Sequence, residues 1–242
     1  MITLVIATRN AHKVQEIRSI LGAGHRYFSL DHFAAAPPVR EDGATFDENA
    51  TKKAVELGRW LLKHPRFAAP LLVAENPDDR GPVLVLADDS GLEVDALGGS
   101  PGVHSARFAH LGTELPGNAP DAANNQKLLA ALKGVPEPER TARFRCVLAA
   151  TPLELHNELR RTAGLLGDVL ERRTVLSSGS CEGRIALGPS GQGGFGYDPL
   201  FIPLGHSVSF AALGEDAKNQ LSHRAKALQL LKKWLDTLEA RE

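Results

Sequence analysis

A chain of 242 residues with a formal net charge of −1 lacks the basic excess that general nucleic-acid or anionic-membrane binding requires. With 43% hydrophobic and 24% charged residues it has a globular composition, long enough to bury about 70–75% of its unfolded surface in one core or two lobes. Cysteines without disulfide-framework or zinc spacing, no run of ~18–20 apolar residues and no secretory signal in MITLVIATRN point to the cytoplasm, away from membranes.

Ile2 to Ala7 (ITLVIA) reads as a short strand covered on both faces. After TRNAHK, the spacing of Val14, Ile17 and Leu21 predicts a helix that stops at Gly22. The join ATRNAHK (Ala7 to Lys13) is a strand-to-helix turn, expected to present open backbone N–H groups and a positive dipole end to an anion. Lys13 could set an ammonium beside a phosphate there, although no GxxxxGK[ST] is present. Further on, Thr45 and Glu48 have capping-box spacing, and Ala50, Ala54, Leu57 and Leu61 form the apolar stripe of a second helix. His64 to Pro82 reads as an extended irregular connection whose acidic cluster, Glu75, Asp78 and Asp79, is solvated loop.

The apolar run Val83 to Ala87 ends on two adjacent carboxylates, Asp88 and Asp89. Hard oxygens at a strand end suit Mg²⁺, which keeps several waters and bridges to phosphates. A solvated Asp-Asp turn is the plain alternative. If the strand continues, the two acids point to opposite sides and can do different work. Glu41, in VREDG, is a further candidate ligand.

A helix is expected over Asp121–Leu132 and a strand over Arg143–Ala149. RIAL (Arg184 to Leu187) and PLFI (Pro199 to Ile202) bracket a glycine-rich loop. GQGGFG (Gly191 to Gly196) matches GxGxxG but leads into Tyr197-Asp198-Pro199 and a strand, where a dinucleotide site needs a helix. Such a loop can instead bring backbone close to a flat ligand, with Phe195 or Tyr197 stacking on it, and a glycine-rich hairpin without a ligand is the equal alternative. Ser222 is a good N-cap for a last helix whose face carries Leu221, Ala225, Leu228, Leu231 and Leu235. Arg224 falls on that stripe, is expected to point inward and want an anion, and with Lys218 and His223 makes a cationic helix start; a basic amphipathic helix with solvated charges is the plain alternative. Strands mixed with helices throughout predict an α/β or α+β sandwich around a central sheet. The site signals together describe a nucleoside phosphate with magnesium.

At these residues the chain resembles the inosine triphosphate pyrophosphatase family, hydrolases of non-standard purine nucleoside triphosphates. The blocks ATRNAHKVQEI, TFDENATKKA, LADDSGLEVDALGGSPGVHSARF, GGFGYDPLF and KNQLSHRAKAL occur in family order from Ala7 to Leu228. The resemblance implies one α/β (α+β) domain over 1–242, two-lobed around a long twisted mixed sheet, with a nucleotide-binding cleft between the lobes. It also implies a homodimer that uses Mg²⁺ to split ITP, dITP or XTP into the monophosphate and pyrophosphate, keeping deaminated purines out of DNA and RNA. By resemblance, Thr8, Arg9, Asn10, Ala11, His12 and Lys13 form the first substrate loop. Glu41 and Asp89 are the metal positions, and Asp89 is also the catalytic residue. Lys53, Ser90, Phe195, Gly196, Tyr197, Asp198, Lys218, His223 and Arg224 match substrate-contact positions, with Arg107 a weaker phosphate candidate. Arg9 stands where many relatives carry glycine, and segments 64–82 and 152–179 look longer than in compact relatives. The competing readings are a pyrophosphatase for modified pyrimidine triphosphates and a nucleotide-binding sensor without catalysis.

Overall fold

The computed structural model describes residues 1–72, 81–153 and 166–240. In chain order the first elements are β1 (Thr3–Ile6), α1 (Ala11–Leu21), β2 (Arg26–Ser29), α2 (Phe46–Lys63), α3 (Pro65–Ala68) and β3 (Val83–Val94). They are followed by α4 (Asp121–Ala131), β4 (Thr141–Leu153), α5 (Leu166–Arg173), β5 (Val175–Ile185), β6 (Phe201–Pro203), α6 (Phe210–Leu213), α7 (Glu215–Leu221) and α8 (His223–Glu239). Among the described residues, six strands form one open sheet in the order β2-β1-β3-β4-β5-β6. β1 pairs in parallel with β2 and with β3, placing Val5 opposite Phe28 and Val85. Parallel neighbours need a crossover, and α1 provides it between β1 and β2. β5 and β6 are antiparallel, with Arg184 opposite Ile202, so the sheet is mixed, as expected.

Local chemistry accounts for these elements. Every residue of β1 is buried, Thr3 included, as its nearly all-apolar run requires. The reciprocal capping box opens α2: the Thr45 hydroxyl accepts from Glu48 N at 3.2 Å, and Glu48 Oε2 accepts from Thr45 N at 3.3 Å. The α2 stripe Ala50, Ala54, Leu57 and Leu61 is buried. Ser222 caps α8 by accepting from Ala225 N at 3.1 Å, and Ala225, Leu228, Leu231 and Leu235 are fully buried.

Four expectations need correction. The strand that begins at Val83 does not end at the aspartates but runs through them to Val94, because both charges are compensated from elsewhere in the chain. The connection after His64 is not simply extended: α3 and a 3₁₀ turn over Ala69–Leu72 bury Ala68 and Leu71. Leu221 closes α7 rather than sharing the α8 face. The strand expected over Arg143–Ala149 extends at both ends. Glu75, Asp78 and Asp79 lie outside the described residues, as does 154–165 within the long segment 152–179.

The chain divides into two compact units, one of Met1–Asp89, Val147–Ser177 and Leu228–Glu242, the other of Ser90–Cys146 and Ser178–Ala227. In the first, Leu4, Ile6, Leu61, Leu84, Leu86 and Leu231 are among the buried core residues. In the second, Phe144 and Phe201 lie 4.7 Å apart between ring centroids, and Phe201 and Phe210 5.4 Å apart, within a cluster that also holds Tyr197 and Leu200. Among the described residues no helix is long and apolar enough to cross a membrane.

Candidate active site

In the first unit the site is built on β3, α2 and the β1–α1 turn. Asp88 and Asp89 are buried at the middle of β3, which removes the reading of a solvated turn. Two uncompensated carboxylates there would be expensive. Lys13, from the third position of α1, forms an ion pair with Asp88. Lys53, from the buried face of α2, donates to Asp89 Oδ1 at 2.9 Å and to the Asp88 carbonyl at 2.8 Å. The same ammonium lies 3.3 Å from Glu41 Oε2. Neighbouring acids along a strand thus take different lysines, as alternate side-chain directions require.

Burial raises the Asp89 pKa to about 6, against the opposing pull of Lys53. Burial alone would lower the Lys53 ammonium, but the carboxylates of Asp89 and Glu41 outweigh it and hold its pKa above the ordinary value. Asp89 Oδ2 is buried and has no hydrogen-bond partner among the described residues. A buried carboxylate oxygen without a protein partner is satisfied by an ordered water or an ion. Among the described residues no three His, Cys, Asp or Glu side chains gather as a protein-only metal cage.

The β1–α1 turn differs from expectation in one respect. Asn10 is the N-cap, and its Oδ1 accepts from His12 N at 3.0 Å and Lys13 N at 3.2 Å. Those two amides, expected to face an anion, are therefore bonded within the chain. Thr8 Oγ1 accepts from Asn10 N at 3.1 Å and completes the turn. Ala11 and His12 are exposed, and Arg9, also exposed, donates to the Ala36 carbonyl at 3.3 Å.

In the second unit the remaining candidates gather round Phe195. Lys218 Nζ lies 4.2 Å and Arg224 Cζ 5.7 Å from its ring centroid, two cations against one aromatic ring. Lys218 also donates to Asp198 Oδ2 at 2.6 Å, and that oxygen accepts from Phe195 N at 2.9 Å. Gly194, at φ +74°, must be glycine, because a Cβ there would lie 2.2 Å from Asp198 Oδ2. Arg224, 1% exposed, donates to the Ser90 hydroxyl at 2.9 Å, so Ser90 and the inward arginine meet. His223 stacks on Phe144 at 4.7 Å. Tyr197 is a core residue rather than a face open for stacking: it is buried, and its hydroxyl donates to the Ser105 carbonyl at 2.9 Å. Burial pushes the pKa of that phenol up. Gly196 is held at both backbone groups by α4, its N–H donating to Asp121 Oδ2 at 2.7 Å and its carbonyl accepting from Asn125 Nδ2 at 3.0 Å. The glycine loop runs into turns and β6, not a helix, which rules out the dinucleotide fingerprint. Arg107 is half-buried at a kink in the 3₁₀ segment Gly102–His110.

Sequence reasoning did not single out Asp121 and Asn125, although their i, i+4 spacing on a helix puts them on one face. It also passed over Asn49 as a functional residue, although its place four residues before Lys53 was visible.

The profile of the Ham1 family matches residues 4–234, nearly the whole chain. The chain belongs to the Ham1 family. The five motif blocks that resemble inosine triphosphate pyrophosphatases all fall inside the matched range. Among curated relatives of this Ham1 chain, a dITP/XTP pyrophosphatase of Nitratidesulfovibrio vulgaris is 46% identical, covering 96% of this chain and 95% of its own. A second, from Shouchella clausii, is 41% identical and covers 96% of each chain. The HAM1 protein of Coxiella burnetii shares the fold with a TM-score of 0.72 at 32% identity, over 98% of this chain and 100% of its own. The Staphylococcus aureus Ham1 protein does so with a TM-score of 0.68 at 31% identity, over 97% and 98%.

Proposed function

We propose that this Ham1 chain is a nucleoside-triphosphate pyrophosphohydrolase that removes non-standard purine nucleotides, ITP, dITP and XTP, from the cell's pool. The observation that carries the reading is the buried Lys53 ammonium between Asp89 and Glu41, with the second Asp89 oxygen unbonded among the described residues. Glu41 and Asp89 are the residues that would hold a divalent cation, and their hard oxygens favour Mg²⁺. When bound, that cation supplies charge neutralisation at the phosphates. Lys13 and Lys53 add fixed positive charge for the triphosphate, and Asp88 keeps the Lys13 ammonium in place through its ion pair.

Asp89 orients a water for in-line attack on the α-phosphorus and takes its proton. The new water–phosphorus bond replaces the α–β anhydride bond, and pyrophosphate leaves. In the second unit, Phe195 offers a stacking face, while Asp198, Lys218, His223 and Arg224 read the base and its attached phosphates. A 6-keto purine presents an acceptor and an N1 proton. Adenine reverses both and would leave buried polar groups unpaired, a discrimination that can be large. The enzyme acts as a homodimer in the cytoplasm, where its substrates arise.

A substrate panel tests the assignment. kcat/KM for dITP and XTP should exceed that for dATP, dTTP and dUTP by about 100-fold or more. Equal turnover of the pyrimidine triphosphates would point to the pyrimidine enzyme instead, and tight binding without product to a sensor.

The metal assignment carries its own pH dependence. Protons and cation compete for Asp89, so below about pH 6 Mn²⁺ affinity should fall about tenfold per pH unit and should level off above it. Titration of the protein with Mn²⁺, followed by its paramagnetic resonance, reads this directly. A flat profile between about pH 5 and about pH 7 would remove Asp89 from the ligand set.

A further inference from the structure

The loop that carries Glu41 is fastened to the first turn of α2 through three consecutive backbone amides. Gly43 N donates to Asn49 Oδ1 at 2.8 Å, Ala44 N to Glu48 Oε2 at 2.6 Å and Thr45 N to the same oxygen at 3.3 Å. Glu48 and Thr45 are the ordinary capping box, but Asn49 is additional to it. Asn49 is 0% exposed, a costly place for a primary amide unless all its hydrogen bonds are made. Its orientation is fixed chemically: the Gly43 group is a donor, so the atom facing it must be the amide oxygen. The Nδ2 group, with two N–H donors, is then the buried end, and it has no partner among the described residues. Gly43 is matched to the clasp, because a Cβ on it would lie 2.8 Å from Asn49 Oδ1 and 2.9 Å from Glu48 Cβ.

Asn49 also lies four residues before Lys53, on the same buried face of α2. One helix face therefore carries an amide that places the Glu41 loop and an ammonium that touches Glu41 and Asp89. A buried amide donor one helical turn from the Lys53 position is suited to an oxygen of a bound anion. Resting on the reading of this site as a triphosphate pyrophosphatase, we propose that Asn49 sets the Glu41 loop through its amide oxygen and donates its amide hydrogens to an oxygen of the metal-bound phosphate chain. It thus joins the positioning of the metal to the recognition of the leaving pyrophosphate.

The two halves of the amide can be separated by substitution. Asn49→Asp keeps an acceptor for Gly43 but replaces the donors with a second acceptor; Asn49→Ala removes both. Calorimetric binding of magnesium pyrophosphate, which involves no turnover, should weaken about tenfold or more in Asn49→Asp, with kcat/KM for dITP falling in parallel. Binding of Mn²⁺ alone should be weakened by Asn49→Ala but not by Asn49→Asp, a split that loss of packing would not produce. Gly43→Ala, which pushes the clasp apart without touching the donors, should reproduce the Mn²⁺ loss, and it carries the test if the Asn49 variants do not fold. Wild-type turnover of dITP together with Asn49→Asp binding of magnesium pyrophosphate within about twofold of wild type would overturn the inference alone. A wild-type chain that neither cleaves dITP nor binds magnesium pyrophosphate would overturn it together with the reading beneath it.

Discussion

Asp89→Asn is expected to lower pyrophosphate release from dITP by about a thousandfold or more, with the far-ultraviolet spectrum and cooperative melting retained. The substitution is isosteric and removes the charge that would hold a cation and the base that would take a proton from water. Loss of a general base alone is worth about 10²–10⁴-fold. The fold should survive because the Asn49-to-Lys63 part of α2 and the apolar segments of β3 are held by their own buried side chains. Asn at this position keeps an oxygen for Lys53, which lies 2.9 Å from Asp89 Oδ1. Steady-state kinetics with a pyrophosphate-coupled assay decides the matter. Turnover within about tenfold of the wild type would mean that the chemistry is carried elsewhere.

The second large effect concerns stability as well as rate. Lys53→Met removes the ammonium from between Asp89 and Glu41 and leaves Asp89, with its side chain 7% exposed, without its compensating charge. Breaking a buried pair in this one-sided way costs about 3–5 kcal/mol. For a chain of this size each kcal/mol corresponds to about 2–4 °C, so the melting temperature should drop by about 10 °C. The sign of the pH dependence follows from Asp89. Burial already lifts its folded pKa to about 6, above the unfolded value, so the folded chain holds a proton that the unfolded chain has released, and stability declines as pH rises over that interval. Lys53 opposes the lift, so without it the decline continues past pH 6. The gap between variant and wild type should therefore open as pH rises through about 6. Divalent cation should recover part of the lost stability, since it supplies positive charge at the same carboxylates. Calorimetric melting at two pH values, with and without Mg²⁺, tests all three points. Equal stability of variant and wild type near neutrality would contradict the electrostatic role given to Lys53.

These effects explain what could and could not be read from the sequence. β1, α1, the capping box of α2 and the Ser222 cap of α8 are local features, and apolar periodicity with cap chemistry was enough to find them. The length of β3 was not legible, because an apolar run that meets two acids looks finished. The lysines that neutralise those acids are 75 and 36 residues away in the chain, beyond any local window. Lys53 did carry a signal: it falls on the buried α2 face between Ala50 and Leu57, where a charge must find partners. Tyr197 misled for a related reason. A glycine-rich setting suggests an aromatic open to a ligand, yet only the Phe195 ring faces the cations while Tyr197 is turned into the core. Asn10 shows the same limit at the level of single bonds, since its side chain takes amides that a strand-to-helix turn would otherwise present to an anion.

The central claim, that a non-standard purine triphosphate is cut between its α- and β-phosphates, is tested most directly by phosphorus magnetic resonance of the products formed from dITP with purified protein and Mg²⁺. The account predicts dIMP and pyrophosphate as the only products, with dATP left uncleaved under the same conditions. Formation of dIDP and orthophosphate, or equal cleavage of dATP, would contradict it.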